Sequence, residues 1–371
     1  MKIGIIVEPY EEKNTSGISY AIMSQARELL RLDAKNEYLL YTHTPISPGR
    51  FIGNYRNVLI PKSFLGKNAW FITAFFLHRN DLPDVLLFNM PLLPLVLPRA
   101  VRTIPIFYEL SAYQKPGARL LRDRLRTLVS RRFERAAVER ARQVVTASKG
   151  GKEDIVGHFG LPAHQVSILP LGFQKFTKDE GGASRFEHQH GHFLFVGRVK
   201  HKKNVHHIVD GFIAFRKRNP HATNKLFVVG LGGGTYNEHI AQRVRDEGLR
   251  DEVVFTGFVS NGDMYHLYKN ARALVFCSLQ EGFGMPILEA MDFGIPVITS
   301  NRAPMDEVGG EAAVIVDPER VEEISHAMEL LAFDEAKWNE HVRRGLAHAK
   351  LFSWEKHARE LLALLYDVSK K

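Results

Sequence analysis

Short, continuously apolar runs alternate with longer helix-patterned stretches along this chain, and the alternation begins twice. Ile3–Val7 reads as a buried strand and Ile18–Leu32 as an apolar-periodic helix. Tyr38–Tyr41, Val85–Phe88, Thr103–Phe107 and Gln143–Thr146 are further strand candidates. Strands without polar alternation are buried on both faces, so the order implies a parallel sheet with helices on either side. Phe173–His190, FQKFTKDEGGASRFEHQH, then turns polar and is expected to be a linker, residues 173–190. The pattern restarts with strands at His192–Val196, Leu226–Val229, Val253–Phe255, Ala273–Phe276 and Val297–Thr299. Helices are expected at Val205–Arg218, with Asn204 as N-cap, at Met264–Asn270 and at Ile287–Phe293. At 371 residues the chain exceeds one ordinary core. The expectation is two doubly wound, Rossmann-like α/β domains, residues 1–172 and 191–351. Open parallel sheets bind ligands at the carboxyl ends of their strands, so two such domains facing each other would hold a ligand in the cleft.

Composition narrows the classes. The single cysteine, Cys277, cannot form an internal disulfide, which fits a reducing cytoplasm. Met1 leads into Ile3–Val7 with no basic n-region or cleavage site, so no signal peptide is expected. The closest apolar candidate for a membrane span, Asp84–Pro98, carries three prolines, Pro91, Pro94 and Pro98, that make it a poor helix. Net charge is +9, and Arg119–Arg142 holds nine arginines against three acids, a net +6. Apolar residues at helical spacing accompany them, which fits either a solvated helix packed on a sheet or an anionic membrane-surface patch. Nucleic acid is not expected as a partner, since neither an RNA-binding aromatic motif nor a zinc-finger spacing is present.

Chemistry concentrates in the second half. In Glu281–Ala290, EGFGMPILEA, Gly282 and Gly284 allow close backbone approach and Pro286 suits a first helical position. The N–H groups of Ile287, Leu288 and Glu289 would then point out of the helix start, an anion site suited to a diphosphate. Glu281 and Glu289 are good acceptors for sugar hydroxyls. On spacing alone a helix with Glu near its positive end is the better reading; the whole string EGFGMPILEAMDFGIPVITS is more specific than its spacing. Gly197–Asn204, GRVKHKKN, follows a strand and carries Arg198, Lys200, His201, Lys202 and Lys203. Cations there would stabilise a departing diphosphate, though a solvated basic turn has the same composition.

Arg198, Lys203, EGFGMPILEAM and GIPVITSNRAPMDEVGGEAAVIVDP together resemble glycosyltransferase family 4, retaining enzymes of GT-B architecture. ASKGGKEDIVGHFGLPAHQVSILPLG (147–172), FTGFVSNGDMYHLYKNA (255–271) and FSWEKHARELLALL (352–365) extend the resemblance over most of the chain. It implies a C-terminal helix, 352–371, crossing back to the first domain. It implies that Arg198 and Lys203 bind the donor diphosphate, Glu281 the donor sugar and Glu289 the ribose. Backbone at Phe283, Gly284, Met285 and Ile287 would serve phosphate and sugar, Phe258 and Val259 the base, and Gly17 the phosphates from the first domain. Two departures stand out. The family's paired glycines in the first loop are here Ser16-Gly17, and its His-Asp is here Tyr108-Glu109, within IPIFYELSAYQKP. Tyr and Glu can still hydrogen-bond a substrate hydroxyl, but any role needing imidazole is lost.

Similar enzymes react on the front face of the sugar, with the departing phosphate taking the acceptor proton. No divalent metal and no cofactor is implied, and no metal-binding acidic motif stands at a matching position. The ELSAYQKP and DIVGHFG segments resemble bacterial mannosyl- and rhamnosyltransferases of surface-polysaccharide assembly. That implies GDP-mannose as the favoured donor, with UDP- or dTDP-sugars as alternatives. It implies a lipid-linked glycan acceptor in lipopolysaccharide, O-antigen or exopolysaccharide synthesis, with the enzyme cytoplasmic or peripheral at the inner membrane face. A sugar-nucleotide epimerase of the same architecture, or a non-catalytic sugar-nucleotide-binding subunit, are the competing readings. VVGLGGGTYN (228–237) lacks the dinucleotide glycine order and reads as a strand-end turn, and the alternating His188, His190 and His192 resemble a metal tract only in spacing.

Overall fold

A computed structural model describes residues 1–8, 17–60, 81–88, 97–108, 131–132, 134–178 and 184–370. They form two compact units, Met1–Gly172 with Ser353–Lys371, and Phe173–Phe352.

The first unit contains strands β1 (Lys2–Ile6), β2 (Glu37–Thr42), β3 (Tyr55–Leu59), β4 (Val85–Phe88), β5 (Arg102–Phe107), β6 (Val144–Thr146) and β7 (Val166–Ile168). All pair in parallel, in the order β3-β2-β1-β4-β5-β6-β7. Side chains alternate across the sheet. Ile3, Ile5, Tyr38, Leu40, Val85 and Leu87 enter one core, while Ile6, Leu39, Tyr41, Leu86 and Phe88 enter the other. Burial on both faces is why these strands read as unbroken apolar runs. The helix Gly17–Leu32 covers the first core with Ile22, Met23, Ala26 and Leu29. The last helix, Trp354–Lys370, joins it with Ala358, Leu361, Leu365 and Val368. Polar groups fix its seat: His357 pairs through Nε2 with Gln25 Oε1 and through Nδ1 with the Pro170 carbonyl, both at 3.0 Å. Gly172 lies so close beneath Trp354 that an added Cβ would sit 2.4 Å from its backbone nitrogen.

The second unit contains β8 (His192–Val196), β9 (Leu226–Val229), β10 (Val253–Gly257), β11 (Ala271–Phe276), β12 (Val297–Ser300) and β13 (Val314–Val316). The order β10-β9-β8-β11-β12-β13 is again wholly parallel. It reverses between β8 and β11, the place where open α/β sheets leave a crevice for ligands. The helix Val205–Arg218 buries Phe212 and Phe215 against Phe193 of β8.

Two expectations need correction. Residues 173–190 belong to the second unit and include no free linker among their described positions. Phe186 is buried with its ring edge-on to Phe227, and the Asn270 amide donates to the Glu187 carbonyl at 3.0 Å. Asn204 is not a side-chain N-cap; its backbone is left-handed, φ 58°, and its amide points elsewhere. In the arginine-rich stretch, residues 119–130 lie outside the described residues. Arg140 is not a solvated cation, because its guanidinium donates to the carbonyls of Leu97, Pro98 and Val101. Among the described residues no helix is long and apolar enough to cross a membrane.

Candidate functional site

Two loops meet at the strand-order reversal of the second unit. One leaves β8 and runs through Gly197 to Asn204; the other leaves β11 and runs from Cys277 to Gly284. Backbone bonds lace them together, the N–H groups of Leu279 and Gln280 both donating to the Lys202 carbonyl, at 2.9 and 3.3 Å. Asn204 staples the first loop from within. Its Nδ2 donates to the carbonyls of Cys277, at 3.0 Å, and Pro318, at 2.5 Å. Its Oδ1 lies 2.8 Å from His207 Nδ1. The loop after β9 closes on the same corner, where Gly230 is required because a Cβ there would meet the Gly197 carbonyl oxygen at 2.1 Å.

That lacing delivers Lys203 to Glu281. Lys203 Nζ makes a short charge-assisted hydrogen bond to Glu281 Oε1. The Ser278 hydroxyl donates to the same oxygen at 2.8 Å. Lys203 Nζ also lies 5.3 Å from the centre of the Phe276 ring, which stacks on Phe195 beneath the site. Side-chain exposures of 17% for Lys203 and 9% for Glu281 make this a half-desolvated pair, in which charge is screened less than at an open surface. Arg198 is exposed on the same loop, between β8 and Val199, which bridges to Gly232. The structure therefore joins Lys203 to Glu281 and carries Arg198, exposed, on the same loop as Lys203.

Glu289 is set apart from them. It is buried in the helix Met285–Asp292, and Tyr268 Oη donates to its Oε2 at 2.7 Å. Burial pushes its carboxyl up to about 7, against the lowering effect of bonds from Tyr268 and the Gln174 backbone. Phe283 is buried with its ring near Phe352, and Gly284 is left-handed, φ 105°, immediately before Met285. One expectation fails here. The Ile287 N–H is not free but donates to the Gly284 carbonyl at 3.0 Å, because the helix starts at Met285, earlier than the sequence suggested. Phe258 is 65% exposed and Val259 buried, just past the end of β10. In the first unit, Gly17 opens the helix after β1, and Tyr108 is half-buried against the core, which raises its phenol. Glu109 lies outside the described residues.

Ser278, Tyr268 and the staple made by Asn204 were missed from sequence. A serine three residues before the first glutamate was the one local signal. The Gly-rich segment 228–237 is β9 followed by a turn and the helix Gly234–Asp246, as read. His192 is a core residue, its Nε2 2.9 Å from the Leu267 carbonyl, and burial lowers it to about 4. Among the described residues no three His, Cys, Asp or Glu side chains are grouped to hold a metal.

Comparison with known proteins places this geometry. Residues 179–345 match the family model for glycosyl transferases group 1. The O-antigen chain mannosyltransferase B of Escherichia coli is 31% identical over 271 residues, 69% of this chain and 68% of that protein. Among solved structures, the sucrose-phosphate synthase of Thermosynechococcus elongatus superposes with a TM-score of 0.74 at 18% identity, covering 99% of both chains. Anabaena HepE, solved in complex with UDP and glucose, gives 0.74 at 14% identity over 99% of this chain and 100% of that one. Those likenesses establish the GT-B fold, and with the family match and the mannosyltransferase relative the chain belongs to the group 1 glycosyl transferases.

Proposed function

We propose that this chain is a retaining, metal-independent hexosyltransferase of O-antigen or lipopolysaccharide assembly. It moves mannose, or a related deoxysugar such as rhamnose, from a nucleotide-sugar donor to a growing lipid-linked glycan. The observation that carries the reading is the union of Lys203 and Glu281 at the strand-order reversal. A cation for a departing diphosphate and a carboxylate for a sugar hydroxyl stand on one platform. The relative named a mannosyltransferase supports the sugar, and GDP-mannose is proposed as the donor ahead of UDP- or dTDP-sugars.

The chemistry follows from those groups. The bond from the sugar anomeric carbon to the diphosphate oxygen breaks, and the acceptor oxygen bonds that carbon on the same face. The acceptor proton passes to the departing phosphate oxygen. Arg198 and Lys203 stabilise the charge that develops on the diphosphate. Glu281 accepts from a sugar hydroxyl through Oε2, since Oε1 already holds Lys203 and Ser278. Glu289 takes the ribose diol, Phe258 and Val259 the base, and backbone at Phe283, Gly284 and Met285 the phosphate and sugar. An acceptor on a lipid carrier places the work at the inner face of the inner membrane, with the Arg119–Arg142 stretch against anionic lipid.

A panel of GDP-, UDP- and dTDP-hexoses with a lipid-linked mannan acceptor tests this. GDP-mannose should support transfer with retained anomeric configuration. Glu281→Gln and Lys203→Met should each lower kcat by about 100-fold or more. If no donor is bound or turned over, the reading is wrong.

A further inference from the structure

We propose that Tyr268 is the positioning residue of the ribose-holding carboxylate: its hydroxyl ties one oxygen of Glu289 and leaves the other to accept from the vicinal diol of a nucleoside diphosphate. The proposal rests on the assignment of Glu289 to the ribose.

The geometry is specific. Tyr268 lies near the end of the helix Asn261–Lys269 and is fully buried. Its ring stacks on Phe293 at 5.4 Å and 16°, and on the other hand meets Phe176 at 5.6 Å and 33°. Held by both, the ring has no room to swing, and its hydroxyl reaches Glu289 Oε2 at 2.7 Å. The backbone of Gln174 also faces the carboxylate and favours its charged form. Three separate stretches of chain thus converge on one acid. The segment at 174–176 is itself held there, Gln174 Nε2 lying 3.3 Å from Asn261 Oδ1 and Lys175 Nζ 3.4 Å from Asp292 Oδ1.

A carboxylate offers about four lone-pair positions, and these two donors leave room for a diol. Without donors a buried carboxyl takes up a proton, and in that form it is a poorer acceptor. Tyr268 therefore does two things for Glu289: it orients the group and favours its charged form. A phenylalanine at 268 keeps the stacked rings and removes only the hydroxyl, so the fold is preserved.

The test is calorimetric titration of the full chain with GDP and with 2′,3′-dideoxy-GDP, repeated with the UDP pair. The wild type should prefer the ribose form by about 10- to 100-fold, the worth of hydrogen bonds to a charged group. Tyr268→Phe should reduce that preference to within about threefold while leaving dideoxy affinity unchanged, and should raise donor KM more than it lowers kcat. A wild type that binds both forms alike overturns the ribose assignment of Glu289 itself. A wild type that discriminates, with Tyr268→Phe discriminating as strongly, overturns the positioning role alone. Equal loss of affinity for both nucleotides in Tyr268→Phe marks a purely structural role and overturns it too.

Discussion

Replacing Asn204 removes the staple that joins the basic loop to the rest of the second unit, and the size of the effect follows from its contacts. Asn204 is fully buried, and one amide group donates to two carbonyl oxygens, those of Cys277 and Pro318. In Asn204→Ala both carbonyls lose that donor, at about 1 to 3 kcal/mol for each buried group left unpaired. Alanine also resists the left-handed backbone at φ 58°, which asparagine tolerates, adding about 1 kcal/mol. The expected loss is about 3 to 7 kcal/mol, a large part of a domain's ordinary stability. For a unit the size of Phe173–Phe352 that lowers the melting temperature by on the order of 10 °C. Calorimetric scans of the full chain should show the transition of the second unit moving and that of the first holding still. Asn204→Asp separates the causes. It keeps the shape and the left-handed preference but turns an acceptor toward both carbonyls, so it should be at least as damaging as alanine. Asn204→Gly relieves the backbone and should recover no more than about 1 kcal/mol relative to alanine. An aspartate variant within about 1 kcal/mol of wild type would show that the amide bonds do not hold the loop.

Other substitutions probe neighbouring parts of the design. Ser278→Ala strips one of two donors from Glu281 Oε1 and should lower kcat/KM by about tenfold while GDP affinity stays constant; unchanged kcat/KM removes Ser278 from the sugar-holding machinery. Gly172→Ala forces a Cβ to 2.4 Å from the Trp354 nitrogen and 2.6 Å from its ring, atoms with no room to retreat, and should cost the first unit about 3 kcal/mol in urea unfolding. An unchanged midpoint there means the last helix is seated differently. Acid should weaken both units. Burial lowers His357 and His192 to about 4, so between their ordinary value near 6.5 and pH 4 the unfolded chain binds protons that the folded chain refuses. Stability is therefore full above pH 6.5 and declines as pH falls toward 4, by up to about 3 kcal/mol for each histidine. His357→Gln should flatten that decline for the first unit alone, and a slope as steep as wild type's would place the proton uptake elsewhere.

The sequence disclosed what is local. Strands buried on both faces were legible because Phe193–Val196, Leu226–Val229 and Val85–Phe88 are unbroken apolar runs. β3 escaped because YRNVL is an edge strand with one fully buried residue, so no pattern marks it. β7 and β13, short strands of three residues each, were not read from the sequence either. Lys203 and Glu281 were legible as members of two dense motifs, yet nothing in either motif says that they touch. Their meeting depends on β8 and β11 being neighbours, and on a buried asparagine whose partners lie 73 and 114 residues away. The same limit explains Glu289. Its expected ribose role was implied by the resemblance, while its surroundings are set by Tyr268 and by a segment expected to be a linker. A polar, glycine-containing stretch looks like linker because composition records solubility and not contact. Phe173, Phe176 and Phe186 were the contrary signal in that stretch. Phe173 and Phe186 are buried, Phe176 packs against Tyr268, and the segment that carries them belongs to the second unit.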